Sequence, residues 1–225
     1  MHDSMDMTVD RLTPQRRRAL TRNALIDAAA EVFARRGFHA ASLDEIAEAA
    51  GFTRGAIYSN FGGKEDLMIA VLDLFTKQQL EAFSAVVDPA AGGSASERSA
   101  AAASVWTATQ REQNLAALSL EMRIYALRNP EFRRRLAISE LHNQQRIAAF
   151  IAEVAAAEGR TLPVPAIDLA EMLRAFSDGL SQLAALDAER ADYYDEVATK
   201  FFGLIEKALS VEGSASPPQT KKRRS

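Results

Sequence analysis

The stretch from Ser42 to Lys64, SLDEIAEAAGFTRGAIYSNFGGK, constrains the fold of this chain more than any other part of it. Ser42 followed three residues later by Glu45 is a capping-box pattern, which predicts that a helix begins there. The apolar residues that recur on one face of this helix are Leu43, Ile46, Ala47 and Ala50. Gly51 follows, and because glycine readily adopts a positive φ, we expect the helix to end and the chain to turn at this point.

A second short helix follows the turn, and it is unusually polar. Thr53 is expected to cap it, and Ile57 and Phe61, four residues apart, are expected to pack inward. The residues left facing outward are Arg54, Gly55, Tyr58, Ser59 and Asn60. Two short helices joined by a tight turn, the second polar on its outer face, indicate a helix-turn-helix whose second helix is presented to the DNA major groove.

Length and composition exclude several classes of protein. At 225 residues the chain is long enough for one large or two small domains. Cysteine is absent, which excludes disulfides, thiolate metal ligands and cysteine nucleophiles and fits a reducing cytosol. No apolar run approaches the roughly 20 residues that a membrane span requires, and the start MHDSMDMTVD lacks the apolar core of a signal peptide. We therefore expect a soluble cytoplasmic protein with no membrane partner.

Charge is distributed unevenly along the chain. Residues 11–64 carry nine Lys/Arg against five Asp/Glu, a net charge of +4, whereas residues 65–214 carry 14 against 22, a net charge of −8. The four basic residues of the tail that begins at Ala215 add +4. A basic module on an acidic protein fits a small DNA-contacting surface, although a chance fluctuation of charge would give the same pattern.

The remainder of the chain has the pattern of successive helices. The first helix is predicted from about Thr21 to Arg36, ending at Gly37. The later helices are predicted at about 64–87, 97–114, 115–128, 131–158, 166–187 and 190–210. No segment shows the alternating pattern of a strand, so we predict an all-α protein.

The last two helices are apolar on more than one face, which is typical of helices buried on two sides. One interpretation is a helix pair fully enclosed in the core. The other is a pair that packs on its own copy in a symmetric dimer. On the second interpretation the candidate interface residues are Leu180, Leu183, Phe201, Phe202 and Ile205.

The N-terminal part of the chain resembles the DNA-binding domain of the TetR (tetracycline-repressor) family of bacterial transcriptional regulators. The residues that carry the resemblance are Ile26–Phe33, Gly37-Phe38, Ser42, Ile46, Ala47, Ala50-Gly51, Gly55, Ile57-Tyr58, Phe61 and Lys64–Leu67. Two positions depart from the family pattern. Gly62-Gly63 stands where the family usually has a polar N-cap, and Asn60 stands where a basic or aromatic residue is often found.

The resemblance implies a homodimer in which each subunit places one recognition helix in the major groove of a roughly palindromic operator. It also implies a small-molecule effector that enters the C-terminal helical domain and usually releases the DNA, so that the protein is a ligand-responsive repressor. The implied organisation is a flexible basic leader at 1–18, a three-helix DNA-binding domain at 19–66, a larger helical effector-binding and dimerisation domain at 67–210 and a disordered basic tail at 211–225.

Three residues of the second helix are assigned specific contacts with DNA. The guanidinium of Arg54 can bond O6 and N7 of guanine, with a phosphate contact as the alternative. Gly55 would let the helix backbone approach the groove closely, unless it serves only the turn. Tyr58 would donate its hydroxyl to a phosphate, unless its role is purely structural.

Other candidate contacts are to the DNA backbone. Ser42, Thr53 and Lys64 lie at predicted helix N-termini, where free amides and the helix dipole favour phosphate. The basic triplet at 16–18 (Arg16, Arg17, Arg18) could form an arm on the minor groove or the backbone, or a solvated leader. The full set of candidate DNA contacts is Ser42, Thr53, Arg54, Gly55, Tyr58, Ser59, Asn60 and Lys64.

The larger side chains on the central helices are candidates for an effector pocket, because such side chains commonly line apolar pockets. They are Trp106, Met122, Tyr125, Phe150, Met172 and Phe176. Plain core packing is the alternative for each, and a pocket of this kind would take a largely apolar effector. Arg123 and Asp178 could orient a polar group of the ligand or pair with each other, and His142 is expected to be a surface or capping residue.

No catalytic or metal-binding motif appears in the sequence. There is no glycine-rich phosphate loop, no zinc spacing among His2, His39 and His142, and no nucleophile motif. We therefore expect no enzymatic activity, no cofactor and no metal. The rival hypothesis is a small-molecule-binding or scaffold helical protein with a vestigial DNA-binding head, against which the outward cluster of Arg54, Tyr58 and Lys64 argues.

Overall fold

The structure is a computed structural model that describes residues 13–88, 92–112 and 115–210. Within these ranges the chain is helical and contains no strand, which confirms the all-α prediction. The helices are α1 (Pro14–Ala40), α2 (Leu43–Ala49), α3 (Arg54–Asn60), α4 (Lys64–Val87), α5 (Ala95–Glu112), α6 (Leu115–Arg128), α7 (Pro130–Ala157), α8 (Ala166–Leu186) and α9 (Ala191–Ser210), with a 3₁₀ turn at Ala188–Arg190. The expected leader at residues 1–12 and the expected tail at 211–225 lie outside the described residues.

The chain divides into two compact units. Unit 1 comprises Met1–Phe75 and Leu118–Arg133, and unit 2 comprises Thr76–Ala117 and Arg134–Ser225. From α4 onward, each helix begins and ends within two residues of the bounds predicted from the sequence. Helical periodicity and the breaks at glycine and proline therefore locate these helices well.

The first helix begins earlier than predicted. It starts at Pro14 rather than Thr21, because Thr13 is its N-cap and accepts a hydrogen bond from the backbone N–H of Arg16 at 3.2 Å. Proline at the first helical position reinforces the start, since its fixed φ suits a helix and its missing N–H would have no partner there. The basic triplet at 16–18 is consequently part of α1 and not of a flexible leader, which corrects the expectation for residues 14–18.

The helix-turn-helix forms as its local signals predict. The hydroxyl of Ser42 accepts the backbone N–H of Glu45 at 3.1 Å, and the carboxylate of Glu45 accepts the backbone N–H of Ser42 at 3.1 Å, which completes the capping box of α2. Gly51 turns the chain at φ 72°. Thr53 stands at the N-cap position of α3, but its side chain makes no capping hydrogen bond, so the expectation that it caps this helix is wrong.

The capping box makes the stability of unit 1 dependent on pH. The hydrogen bond from the Ser42 backbone N–H lowers the pKa of Glu45 below its usual 4.5, with a further contribution from Arg36 at 3.3 Å. The ionised carboxylate thus contributes stability above pH 4.5 that is lost as the pH falls through the lowered pKa. In the wild type the melting temperature should fall as the pH is lowered through the pKa of Glu45. We expect this fall to be smaller in Glu45→Gln, whereas Glu48→Gln, on the same helix, should show the same fall as the wild type. Parallel curves for the wild type and Glu45→Gln would contradict this account.

Unit 1 has a well-packed apolar core beneath the helix-turn-helix. Its most deeply buried large side chains include Leu25, Phe33, Ile46, Ile57, Leu67 and Met68, each 0% exposed. Because each such side chain contributes about 1.5–3 kcal/mol when removed from water, packing on α1 and α4 fixes the two short helices. An isolated seven-residue helix such as α3 would not be stable in water.

Unit 2 is built on α5, α8 and α9. Trp106, Leu180, Tyr194 and Ala198 form its core cluster, and Phe83, Phe176 and Phe202 are among the half-buried side chains that pack on it. The indole N–H of Trp106 donates to the Ser177 hydroxyl at 3.0 Å, so its one polar group is satisfied in the interior. A chain of ion pairs connects α5, the segment directly after α7, and α9; its members are Arg98, Glu158, Arg160 and Glu206.

Candidate nucleic-acid interface

Helix α3 presents a polar surface that the fold itself does not bury. Arg54, Gly55, Tyr58 and Ser59 are exposed, whereas Ile57 is 0% exposed. Phe61, directly after the helix, is 6% exposed and extends this inner face. The inward and outward faces of α3 are therefore those predicted from the sequence, with one exception at Asn60.

Asn60 is half-buried and not outward. Its side-chain N–H donates to the backbone carbonyl of Ala56 at 2.8 Å and to the Ser59 hydroxyl at 3.3 Å. Within the described part of the chain its carbonyl oxygen is buried and has no hydrogen-bond partner. The amide N–H is thus committed to the last turn of α3, so Asn60 is poorly placed for the DNA contact predicted for it.

Arg54 is held by two neighbours at the start of α3. Its Nη1 lies 3.3 Å from the Asp44 carboxylate on α2, and its Nη2 donates to the Tyr58 hydroxyl at 3.1 Å. The guanidinium carbon lies 5.6 Å from the centroid of the Tyr58 ring. The hydrogen bond to Tyr58 is the main cause that raises the pKa of Arg54, so the side chain is charged at any physiological pH.

Among the residues that the structure describes, none requires a glycine at position 55. Gly55 lies in the first turn of α3 without a positive φ, and a Cβ built there meets only the Thr53 hydroxyl at 3.6 Å, an ordinary contact. The alternative that Gly55 serves turn chemistry therefore has no support in its backbone. A bare backbone at this exposed point leaves room for a close approach from outside the molecule.

Two predicted phosphate contacts have partners within the protein. The Ser42 hydroxyl is engaged in the capping box, and Lys64 Nζ donates to the backbone carbonyl of His39 at 3.1 Å while lying 4.8 Å from the ring centroid of Phe38. Burial lowers the pKa of Lys64, and the carboxylates of Glu121 and Glu45 oppose that effect. Lys64 therefore ties the end of α1 to the start of α4 in addition to any role on DNA.

Helix α1 supports α3 through two arginines that the sequence reading did not assign to this role. Arg18 donates to the backbone carbonyl of Ser59 at 3.2 Å, and the guanidinium of Arg22 lies 4.6 Å from the ring centroid of Phe61. A cation at the C-terminal end of a helix also interacts favourably with the helix dipole. The sequence feature that could have predicted these two contacts is the helix start at Thr13-Pro14, because it places Arg18 and Arg22 one turn apart on α1.

Unit 1 also contains a polar contact between α1 and α6 that the sequence did not reveal. The Glu121 carboxylate accepts the backbone N–H of Phe38 at 2.7 Å, directly after the break at Gly37, whose φ is 75°. The Tyr125 hydroxyl donates to Glu65 at 2.5 Å, and its ring packs on Phe38 at a centroid distance of 5.1 Å. Helix α6 thus contacts both α1 and α4 within unit 1.

The candidate effector residues are not brought together in one unit. Met122, 1% exposed, and Tyr125 belong to unit 1. The four in unit 2 are Trp106, buried in its core, Phe150 and Phe176, both half-buried, and Met172, which is 55% exposed. The six residues thus fall in two different units, because sequence position on a helix does not determine which neighbour that helix contacts.

The central helices carry three further residues that the sequence singled out, namely Arg123, Asp178 and His142. Asp178 lies 3.7 Å from Arg174, which also binds Glu140 at 3.2 Å, whereas Arg123 Nε donates to Ser119 at 3.4 Å. Each of these two side chains therefore has a partner on its own helix, Asp178 on α8 and Arg123 on α6. His142 is exposed, as expected for a surface residue.

The candidate dimer residues fall into two groups. Leu180 is 6% exposed and belongs to the core cluster of unit 2, so it packs within the single chain. Phe201 stacks on Phe176, and Phe202 and Ile205 are half-buried. Leu183 is 52% exposed and is the one member of the set that is mainly on the surface. The large apolar residues exposed on α8 and α9 are Met172, Leu183, Leu186, Tyr193 and Leu204.

No cluster of His, Cys, Asp or Glu suited to a metal ion occurs in the described ranges 13–88, 92–112 and 115–210. Across those same residues, no helix is both long enough and apolar enough to cross a membrane. His2, which was considered as a metal ligand, lies outside the described residues.

Comparison with known proteins finds similarity over both units. Residues 25–71 match the model of the tetR family of bacterial regulatory proteins, and residues 94–200 match that of the C-terminal part of BetI-type transcriptional repressors. The transcriptional regulator SrpR of Pseudomonas putida is 54% identical over 52 residues, 23% of this chain, and that segment spans only 24% of SrpR. The regulator BetI of Brucella melitensis is 29% identical over 201 residues, 88% of this chain and 94% of BetI.

A solved structure shares the fold across most of the chain. The regulator FadR of Bacillus subtilis, in complex with stearoyl-CoA, superposes with a TM-score of 0.57 and is 21% identical, covering 83% of this chain and 98% of FadR. At this identity the likeness concerns the fold alone. The similarity in sequence is concentrated in the segment that carries the helix-turn-helix.

Proposed function

Because the chain belongs to the TetR family of bacterial regulatory proteins, we propose that it is a DNA-binding transcriptional regulator that acts as a ligand-responsive repressor. The observation that carries the proposal is the exposed surface of α3, where Arg54, Gly55 and Tyr58 face outward on a helix held rigidly by the core of unit 1. A vestigial DNA-binding head would have no need of an oriented arginine at this place. Segment 19–66 is the DNA-binding domain of this proposal, and 67–210 carries the effector and dimer functions.

The protein acts as a homodimer on a roughly palindromic operator. Two recognition helices that enter successive major grooves on one face of B-DNA lie about 34 Å apart, so the dimer sets the spacing of the half-sites. Support for self-association comes from the exposed face of α8, where Ala175, Gly179 and Leu183 follow one another at helical spacing. A Cβ built on Gly179 meets nothing within 4 Å, so a second helix could approach there closely.

Arg54 reads a base and not only the backbone. We expect Arg54→Ala to weaken operator binding by roughly 1–3 kcal/mol and to relax the preference at one base pair, because a bidentate contact to guanine discriminates by that amount. The measurement is the affinity for a panel of duplexes that differ at single positions. An equal loss on every duplex would show that Arg54 contacts a phosphate.

The effector is a small molecule that binds the helical domain and favours the state that does not bind DNA. Support for a largely apolar effector comes from the apolar interior of unit 2. A coupling of about 1–3 kcal/mol between the two sites would suffice for induction. Thermal-shift screening of small molecules, followed by competition with the bound duplex, tests this. A compound that stabilises the dimer yet leaves DNA affinity unchanged would count against it.

The proposal includes neither catalysis nor a bound cofactor. A regulator of this kind works through differences in binding free energy between two conformations, so its chemistry is limited to hydrogen bonds, ion pairs and apolar contact. Its place is the cytoplasm, where the bacterial chromosome is accessible.

A further inference from the structure

Asp44 is an acidic group in direct contact with the proposed DNA-reading surface. It lies in the first turn of α2, 69% exposed, with its carboxylate 3.3 Å from Nη1 of Arg54. The capping box of α2 is formed by Ser42 and Glu45, so Asp44 is not needed to cap the helix. Its ion pair with Arg54 connects α2 to the first residue of α3.

The contact restrains Arg54 before any DNA arrives. An isolated exposed ion pair contributes little, but here the same guanidinium also donates to the Tyr58 hydroxyl at 3.1 Å. Two anchors on a long flexible side chain select one arrangement of its rotamers, which reduces the entropy lost when it docks. A guanidinium has five N–H donors, and these two bonds use two of them.

The charge of Asp44 affects bases and phosphates differently. A guanine edge offers neutral acceptors, so Arg54 can bond it while remaining beside Asp44. A phosphate brings a full negative charge next to the carboxylate, and the two repel. Contact with the DNA backbone by Arg54 is therefore disfavoured unless the Asp44 pair opens.

We propose that Asp44 determines specificity: it positions Arg54 for a base edge and opposes non-specific backbone binding by the same side chain. This inference rests on the proposed function, because it assumes that α3 reads DNA. The partner chemistry is a guanine edge within double-stranded DNA. Asp44 is a positioning residue here, since it acts through Arg54.

The test compares two substitutions that remove the same charge from the same helix. Asp44→Asn breaks the contact with Arg54, whereas Glu48→Gln removes an exposed carboxylate that has no contact with Arg54. Each protein is titrated at several salt concentrations with a duplex selected by the wild type from a random library and with a scrambled duplex of equal length. Melting temperatures establish that each variant is folded, and Asp44→Ser serves as a second variant.

We expect Asp44→Asn to bind the scrambled duplex more tightly and to reduce the ratio of selected to scrambled affinity by about tenfold, the order of one base contact. Glu48→Gln should leave that ratio within about twofold of the wild type, because any general charge effect acts on both duplexes alike. In an Arg54→Ala background, Asp44→Asn should no longer change the ratio.

Three results would overturn the inference. The ratio could be unchanged in Asp44→Asn, the change could equal that in Glu48→Gln, or it could persist in the Arg54→Ala background. In each case the wild type still prefers the selected duplex, so the proposed function survives. A wild type that selects no duplex from the library overturns both proposals together.

Discussion

Replacing Leu183 with aspartate is expected to convert the proposed dimer into monomers and to weaken binding to a duplex with two half-sites by about a hundredfold or more. Leu183 is 52% exposed on α8, beyond the core cluster that contains Leu180, so the substitution does not disrupt the fold of unit 2. In a symmetric interface the new carboxylate occurs twice and is buried against its own copy, which is costly. Sedimentation equilibrium measures the association, and fluorescence anisotropy measures the affinity.

Ile138→Asp is the matched control for this experiment. Ile138 is 71% exposed on α7 in the same unit, so the substitution makes the same chemical change on a different face. The dimer and its DNA affinity should both persist in this variant. A Leu183→Asp protein that stays dimeric, or an Ile138→Asp protein that dissociates equally, would contradict the assignment of the interface to α8.

Enlarging Gly55 is expected to weaken DNA binding, more strongly as the side chain grows, without destabilising the protein. Alanine should weaken binding about tenfold and leucine at least about a hundredfold, equivalent to roughly 1.4 and 2.7 kcal/mol. The reason is steric, since a side chain at this exposed point of α3 separates the helix backbone from the groove. Among the described residues a Cβ at position 55 meets only the Thr53 hydroxyl, at 3.6 Å. Gly→Ala in a helix stabilises by about 0.5–1 kcal/mol.

The substitution Gly55→Ala is expected to affect thermal stability and DNA affinity in opposite directions, which separates a loss of DNA contact from a loss of folding. Thermal unfolding should show an unchanged or raised melting temperature for Gly55→Ala, while anisotropy shows weaker DNA binding by the same sample. Ala49→Leu adds bulk to an exposed position at the end of α2 and should leave DNA affinity unchanged. If both Gly55 variants bind the selected duplex as the wild type does, α3 does not approach DNA through this residue.

Local signals in the sequence were sufficient to predict the helix-turn-helix. The capping box of α2 and the positive φ of Gly51 each depend on a few adjacent residues, so they are readable without tertiary information. The start of α1 was missed although Thr13-Pro14 is itself a local signal, because the basic triplet that follows has the composition of a flexible leader. Thr53 occupies the N-cap position of α3 without a capping hydrogen bond from its side chain. A residue type that favours such a bond therefore does not ensure it.

Roles that depend on contacts between helices could not be predicted in the same way. Leu180 and Leu183 are three residues apart and equally apolar, yet one is in the core of unit 2 and the other is on the surface. Tyr125 was grouped with Trp106 as a large side chain, but it contacts Glu65 and Phe38 in unit 1. The ion pair of Arg54 with Asp44 joins residues ten apart, and only the turn between their helices brings them together.

The central claim is that the exposed surface of α3 reads DNA sequence, and competitive binding across a salt series tests it most directly. The full-length protein is titrated with a duplex it has selected from a random library, in the presence of a scrambled duplex of the same length. We predict a preference for the selected duplex of at least about 10³-fold near physiological salt, with the logarithm of the binding constant falling linearly as the logarithm of the salt concentration rises. Equal affinity for both duplexes at every salt concentration would contradict the claim.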